Sequence, residues 1–117
     1  MSKVIIFGGA GSIGSELYRQ LVTAGNEVLS VDINETGLFD LHEEYAQKGY
    51  PVSMRIGDVR DRGVVREVFE DYYPYGPDLV FIASGLKHVF PNELFPEEAV
   101  KTNVLGTLNI VNEMKEF

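Results

Sequence analysis

The chain contains no cysteine, which excludes disulfides, thiol catalysis and cysteine-ligated zinc. It has two histidines, His42 and His88, far apart in sequence, so a metal site is not expected. No apolar run approaches the ~18–20 residues that a bilayer-spanning helix requires. The N-terminal apolar run stops at Gly8. It offers no small-residue cleavage site and does not read as a signal peptide. Basic residues are few, ten against eighteen acidic ones, for a net charge of −8. Affinity for a phosphate backbone comes from clustered Lys and Arg, so nucleic acid is not an expected partner. These absences leave an acidic α/β protein of 117 residues, expected to be soluble and cytoplasmic. It is long enough to bury a sizeable core and is read as a single domain over 1–117.

Apolar runs suited to buried strands alternate with helical patterns, the signature of a parallel sheet. Strands are expected at Lys3–Phe7, Glu27–Val31 (ending at Asp32), Pro51–Ile56 and Asp78–Ala83. The first helix follows the turn Gly8-Gly9-Ala10-Gly11-Ser12-Ile13-Gly14 and runs to about Ala24. Its expected inner face is Ile13, Leu17, Leu21 and Ala24. A second helix is expected over Glu35–Lys48 and a third over about Gly63–Tyr72. A last helix opens at Phe95-Pro96-Glu97-Glu98, with proline and carboxylates suited to a first turn, and runs to the C-terminus. Right-handed crossovers make the βαβαβαβα order a Rossmann-type parallel sheet, strand order 3-2-1-4, with helices on both faces. A ligand is expected at the switch point between strands 1 and 4.

The first turn carries the strongest chemical signal. Gly8, Gly11 and Gly14 recur at three-residue intervals directly after a strand and at the opening of a helix. Such glycines permit the tight turn, the approach of a pyrophosphate to the backbone, and close helix–sheet packing. The alternative is a glycine-rich loop that binds nothing. Asp32 ends strand 2, where a carboxylate can accept both hydrogen bonds from an adenosine ribose and repel a 2′-phosphate. Ile33 follows, where an NADP enzyme often offers Arg, so NAD is favoured and NADP stays open. The alternative is an Asp that caps the next helix. Asp58-Val59 follows strand 3, where a carboxylate and the next backbone amide could bond an adenine edge. Arg60-Asp61-Arg62-Gly63 also reads as turn and helix-start chemistry. Ala83-Ser84-Gly85 follows strand 4 and would let a ribose or nicotinamide approach the backbone. Lys87 lies at the same end of the sheet as a candidate contact for an anion. None of the tyrosines sits in a Tyr-x-x-x-Lys arrangement.

Taken together, Gly8–Gly14, Gly57-Asp58-Val59-Arg60-Asp61, Leu86-Lys87-His88-Val89 and Glu98–Thr107 resemble the extended short-chain dehydrogenase/reductases. They resemble most closely the CapD-type polysaccharide-biosynthesis proteins and UDP-N-acetylglucosamine 4,6-dehydratases. The resemblance spans essentially the whole chain. It implies a tightly held NAD(P) that takes hydride from C4 of a sugar and returns it to C6 after water leaves across C5 and C6. It implies that Gly8, Gly11, Ser12, Ile13 and Gly14 line the pyrophosphate, Asp32 the adenosine ribose, and Asp58 and Val59 the adenine. Ala83 and Ser84 would lie along the nicotinamide, and Lys87 by the nicotinamide ribose or the sugar nucleotide. Asn103 would match the helix Asn that supports the active site. Two positions depart from the family: Phe7 where Thr is usual, and Ser84-Gly85 where two alanines are frequent.

In that family a further strand carries Ser or Thr, a further helix carries Tyr (or its replacement) and Lys, and a substrate domain follows. The chain is therefore expected to be the N-terminal, cofactor-binding portion of a nucleotide-sugar 4,6-dehydratase, inactive alone, with no catalytic residue of its own. A sugar-nucleotide 4-epimerase shares the glycine turn and the Asn helix but fits Leu86–Val89 less well. A nucleotide-binding module without chemistry is the reading from another class. The edge of strand 4 is expected to favour a homo-oligomer.

Overall fold

The computed structural model describes residues 2–72, 76–83 and 106–114. In chain order the described elements are β1 (Lys3–Phe7), α1 (Ser12–Thr23), β2 (Glu27–Asp32), α2 (Glu35–Gln47), β3 (Ser53–Ile56), α3 (Arg62–Tyr72), β4 (Leu79–Ile82) and α4 (Gly106–Met114). The strands form one parallel sheet in the order β3-β2-β1-β4. This is the topology that alternating strands and helices with right-handed crossovers dictate.

β1 is the central strand, and its composition shows why. Val4, Ile5, Ile6 and Phe7 are all fully buried, as expected of a strand covered on both faces. Successive side chains point to opposite faces and seed two cores. Val4 and Ile6, with Val28 of β2, meet Tyr18 and Val22 of α1 and Leu41 and Tyr45 of α2. Ile5 and Phe7, with Leu29 and Val31, meet Val65, Val68 and Phe69 of α3 and Ile110 of α4. Helices α1 and α2 thus cover one face and α3 and α4 the other. Fully burying each large apolar side chain is worth about 1.5–3 kcal/mol.

The inner face of α1 differs from the expected one. Gly14, Tyr18 and Val22 are the buried set, while Ile13 is 59% exposed. Leu17 and Leu21 only flank the core. The helix is rotated because Gly14 packs against the backbone of the preceding turn. Its missing side chain then starts the buried stripe, and Tyr18 and Val22 continue it at four-residue spacing. β3 begins at Ser53 rather than Pro51, as proline has no N–H to give a ladder. β4 is shorter by one residue at each end than expected. The portion of the last helix before Gly106 lies outside the described residues.

Two polar residues anchor the α2 side. The Asn34 side chain caps α2, its Oδ1 accepting from Gly37 N at 3.1 Å. His42 is buried, with Nδ1 2.8 Å from the Leu38 carbonyl and Nε2 2.9 Å from the Ser53 carbonyl. It ties α2 to β3, and its ring lies tilted against the Tyr18 ring with centroids 4.8 Å apart.

Candidate functional site

The carboxyl ends of the four strands converge through backbone hydrogen bonds. Gly57 N donates to the Asp32 carbonyl at 3.0 Å, and Ala83 N to the Phe7 carbonyl at 2.7 Å. Gly8 N and Gly9 N both donate to the Val31 carbonyl, at 2.7 and 3.2 Å. The expected residues Gly8, Gly11, Ser12, Ile13, Gly14, Asp32, Asp58, Val59 and Ala83 therefore share one end of the sheet. Ser84, Lys87 and Asn103 lie outside the described residues.

The glycine turn is built by close contacts. Gly8 has φ +92°, a conformation that favours glycine. A Cβ on Gly14 would collide with the Gly8 carbonyl oxygen. A Cβ on Gly9 would lie 2.6 Å from Ser30 Cβ. Ser30, the one small side chain among the buried β2 residues, thereby receives the turn on the α1 side of the sheet. At its far end the turn delivers Gly11 as N-cap of α1, extended at φ −73° and ψ 171°, with no side-chain cap. The first-turn N–H groups of a helix have no intrahelical acceptor. They carry roughly half a positive charge, so this uncapped end suits an anionic group.

Asp32 stands beside that turn. Its Oδ2 accepts from Ala10 N and its Oδ1 from Asn34 N, both at 2.9 Å. The carboxylate thus braces the glycine turn and leads into the Asn34 cap of α2. Each carboxylate oxygen has about two acceptor sites, so one on each remains for a ligand hydroxyl. The cap of α2 is Asn34 rather than Asp32, so the capping alternative does not hold, whereas the remaining acceptor sites of Asp32 suit a ligand hydroxyl.

Asp58 is engaged locally. Its Oδ1 accepts from Arg60 N at 2.9 Å, and the Arg60 guanidinium pairs with it, Nη2 to Oδ2 at 2.7 Å. The hydrogen bond from the Arg60 side chain holds the Asp58 carboxyl below the usual carboxylate range, against the opposing push of partial burial. Asp61 Oδ1 accepts from Gly63 N at 2.9 Å, so the turn and helix-start chemistry legible in Arg60–Gly63 is present. The Val59 side chain belongs to the core, which leaves its backbone amide as the group to offer a ligand.

Sequence reasoning missed the contribution of α4. Asn109 Nδ2 donates to the carbonyls of Val59 and Arg60, at 2.8 and 3.0 Å. One turn on, Glu113 is fully buried and accepts from Arg62 Nε at 3.0 Å, with Arg66 Nη1 at 3.8 Å. A Glu three residues after Ile110, on the same helix face, was the available signal. Its partners, some fifty residues earlier, were not legible. A separate cavity of about 240 Å³ opens at the amino ends of β2 and β3, lined by Val22, Val28, Tyr50 and Pro51 among others. It lies at the other end of the sheet from the glycine turn, and its lining includes the polar residues Asn26, Glu27 and Ser53.

The strand order and the glycine turn define a Rossmann-type fold with its ligand end at the carboxyl ends of the strands. The chain belongs to the polysaccharide biosynthesis protein family, whose model matches residues 4–117. It is 43% identical over 92% of its length to the uncharacterized membrane protein MJ1061 of Methanocaldococcus jannaschii, covering 31% of that protein. It is 31% identical over 97% of its length to the capsular polysaccharide biosynthesis protein CapD of Staphylococcus aureus, covering 19% of that protein. A UDP-glucose 4-epimerase of Rickettsia rickettsii is 32% identical over 93% of this chain, which covers 31% of it. Among solved structures, the UDP-glucose 4-epimerase of Bifidobacterium longum in complex with NAD⁺ and UDP is 31% identical. It superposes with a TM-score of 0.82 over 97% of this chain and 33% of the epimerase. The Thermus thermophilus UDP-glucose 4-epimerase in complex with NAD is 29% identical, with a TM-score of 0.79 over 97% of this chain and 33% of that one. The chain thus spans about a third or less of the length of these relatives. Among the described residues no helix is long and apolar enough to cross a membrane.

Proposed function

We propose that the chain is the dinucleotide-holding portion of an NAD-dependent enzyme that remodels the sugar of a sugar nucleotide. The observation that carries the reading is the uncapped start of α1 behind the Gly8–Gly14 turn, with the Asp32 carboxylate bonded to that turn. The backbone of Gly8, Gly11, Ser12, Ile13 and Gly14 holds the diphosphate at the helix end. Asp32 uses its remaining acceptor sites for the adenosine ribose hydroxyls. Its negative charge disfavours a 2′-phosphate, so NAD is preferred over NADP. Asp58 and the Val59 amide take the adenine edge. Ala83, with Ser84 and Lys87, lines the nicotinamide side, and Asn103 supports the reacting centre. A bound nicotinamide supplies reversible hydride exchange with the sugar.

Two sugar chemistries are compatible with these residues. The 4-epimerase reading draws the broader support, from the NAD-containing 4-epimerases of similar fold. The 4,6-dehydratase reading rests on the Leu86–Val89 and Lys101–Thr107 stretches and on the similarity to CapD. The natural gene product containing this chain, incubated with NAD⁺ and UDP-glucose or UDP-N-acetylglucosamine, distinguishes them by NMR of the product. Inversion at C4 identifies an epimerase, and a 4-keto-6-deoxy sugar identifies a dehydratase. Dinucleotide binding with neither sugar converted would overturn both in favour of a binding module.

A further inference from the structure

The turn after β3 is gripped from a helix fifty residues away. Asn109 of α4 is half-buried, and its amide nitrogen faces two carbonyl oxygens, those of Val59 and Arg60. Two acceptors require a donor between them, so the side chain's orientation is dictated by chemistry. The peptide group between Val59 and Arg60 is held at both ends. Its C=O accepts from Asn109 Nδ2 at 2.8 Å, and its N–H donates to Asp58 Oδ1 at 2.9 Å. A continuous hydrogen-bonded path therefore runs from α4 through one rigid, planar peptide to the Asp58 carboxylate. The helix bearing Asn109 is itself fixed, by Ile110 in the core beneath α3 and by Glu113 on Arg62.

We propose that Asn109 is a positioning residue for purine recognition: by fixing the Val59–Arg60 peptide it orients the Asp58 carboxylate toward the exocyclic amino group of an adenine. This rests on the dinucleotide reading above and adds to it the group that sets base selectivity. Without the Asn109 donor, the Val59 carbonyl is free to rotate the peptide. Asp58 then loses the backbone N–H that fixes Oδ1 and is held by the Arg60 side chain, through Nε on both oxygens and Nη2 on Oδ2. Selectivity for a base that donates a hydrogen bond over one that accepts there is what such a change removes.

The test compares NAD⁺ with nicotinamide hypoxanthine dinucleotide, in which a carbonyl oxygen replaces the adenine amino group. Dissociation constants are measured by calorimetry on the unaltered chain and on Asn109→Asp, Asn109→Leu and Glu113→Gln. Asn109→Asp keeps the size of the side chain but replaces the donor with a charged acceptor, and Asn109→Leu removes the donor without adding charge. Glu113→Gln loosens the same helix without touching the turn. The unaltered chain is expected to prefer NAD⁺ by about tenfold, the worth of one buried hydrogen bond to a charged group. Both Asn109 variants should bring that ratio down to within about twofold of unity. Glu113→Gln should keep the ratio even where its melting temperature falls, which a merely structural role of the helix would not allow. If the unaltered chain prefers NAD⁺ and both Asn109 variants keep the full preference, the positioning role is overturned and the dinucleotide reading stands. If the unaltered chain binds neither dinucleotide, the reading beneath it fails as well. Equal binding of the two by the unaltered chain would overturn the Asp58 contact and the role of Asn109 together.

Discussion

Tyr18 and Gly14 share the buried stripe of α1 and respond to substitution in opposite directions. The Tyr18 hydroxyl is buried and has no hydrogen-bond partner among the described residues. Its acidity is suppressed to a pKa of about 12, first by burial and second by the neighbouring Tyr45 phenol. The neutral form is therefore favoured by folding. The stability it contributes is complete below the unfolded value of 10.0 and is lost as pH rises from there to about 12. Tyr18→Phe removes a buried polar group that lacks a partner. Melting curves should show the variant at least as stable at pH 7, and less sensitive than the unaltered chain between pH 10 and 12. A clear loss of stability at neutral pH would show that the hydroxyl is satisfied. Gly14→Ala meets the Gly8 carbonyl, a backbone atom that cannot swing aside. Overpacking of this kind costs about 1–3 kcal/mol. Here it also displaces the turn, so NAD⁺ affinity should fall together with the melting temperature. Unchanged affinity in Gly14→Ala would argue that the turn does not shape the ligand end.

Elements were legible in the sequence wherever their signals were local. The apolar run Val4–Phe7 reads as a central strand because all of its side chains must be covered, and they are. Gly25 and Gly49, both at positive φ, stop α1 and α2 where the pattern suggested. The face of α1 was not legible, because Leu17 and Leu21 outweigh a glycine in any hydrophobicity pattern. The rotation is set by how closely Gly14 approaches Gly8, which is a tertiary contact. Asp32 was legible from its place at the end of β2, but its bond to Ala10 N was not. Asn109 carries no local signal at all, since its acceptors are backbone carbonyls on another element. The docking of α4 also depends on Ile110, which is fully buried against α3. Ile110→Ala should destabilise the chain by about 2–5 kcal/mol, measured by denaturant unfolding. A loss well below that range would mean that α4 is held chiefly by its polar contacts to Arg62 and Val59.

For the molecule as a whole, net acidity and a candidate anion site coexist. Eighteen acidic side chains against ten basic ones give a long-range field that does not attract a diphosphate. In the proposed reading, a dinucleotide at the strand ends is held by local groups, the amides of the α1 N-terminus and the Asp32 carboxylate, rather than by a basic patch. The 3-2-1-4 sheet places those groups together because β1, flanked by β2 and β4, is where the strand order reverses. The most direct test is calorimetric titration of the chain with NAD⁺ and with NADP⁺, repeated on Asp32→Ala. The account predicts that NAD⁺ binds more tightly than NADP⁺, and that the variant loses affinity by about tenfold or more along with the preference, as expected for hydrogen bonds to a charged group. Equal binding of the two dinucleotides by the unaltered chain, or undiminished NAD⁺ affinity in Asp32→Ala, would contradict it.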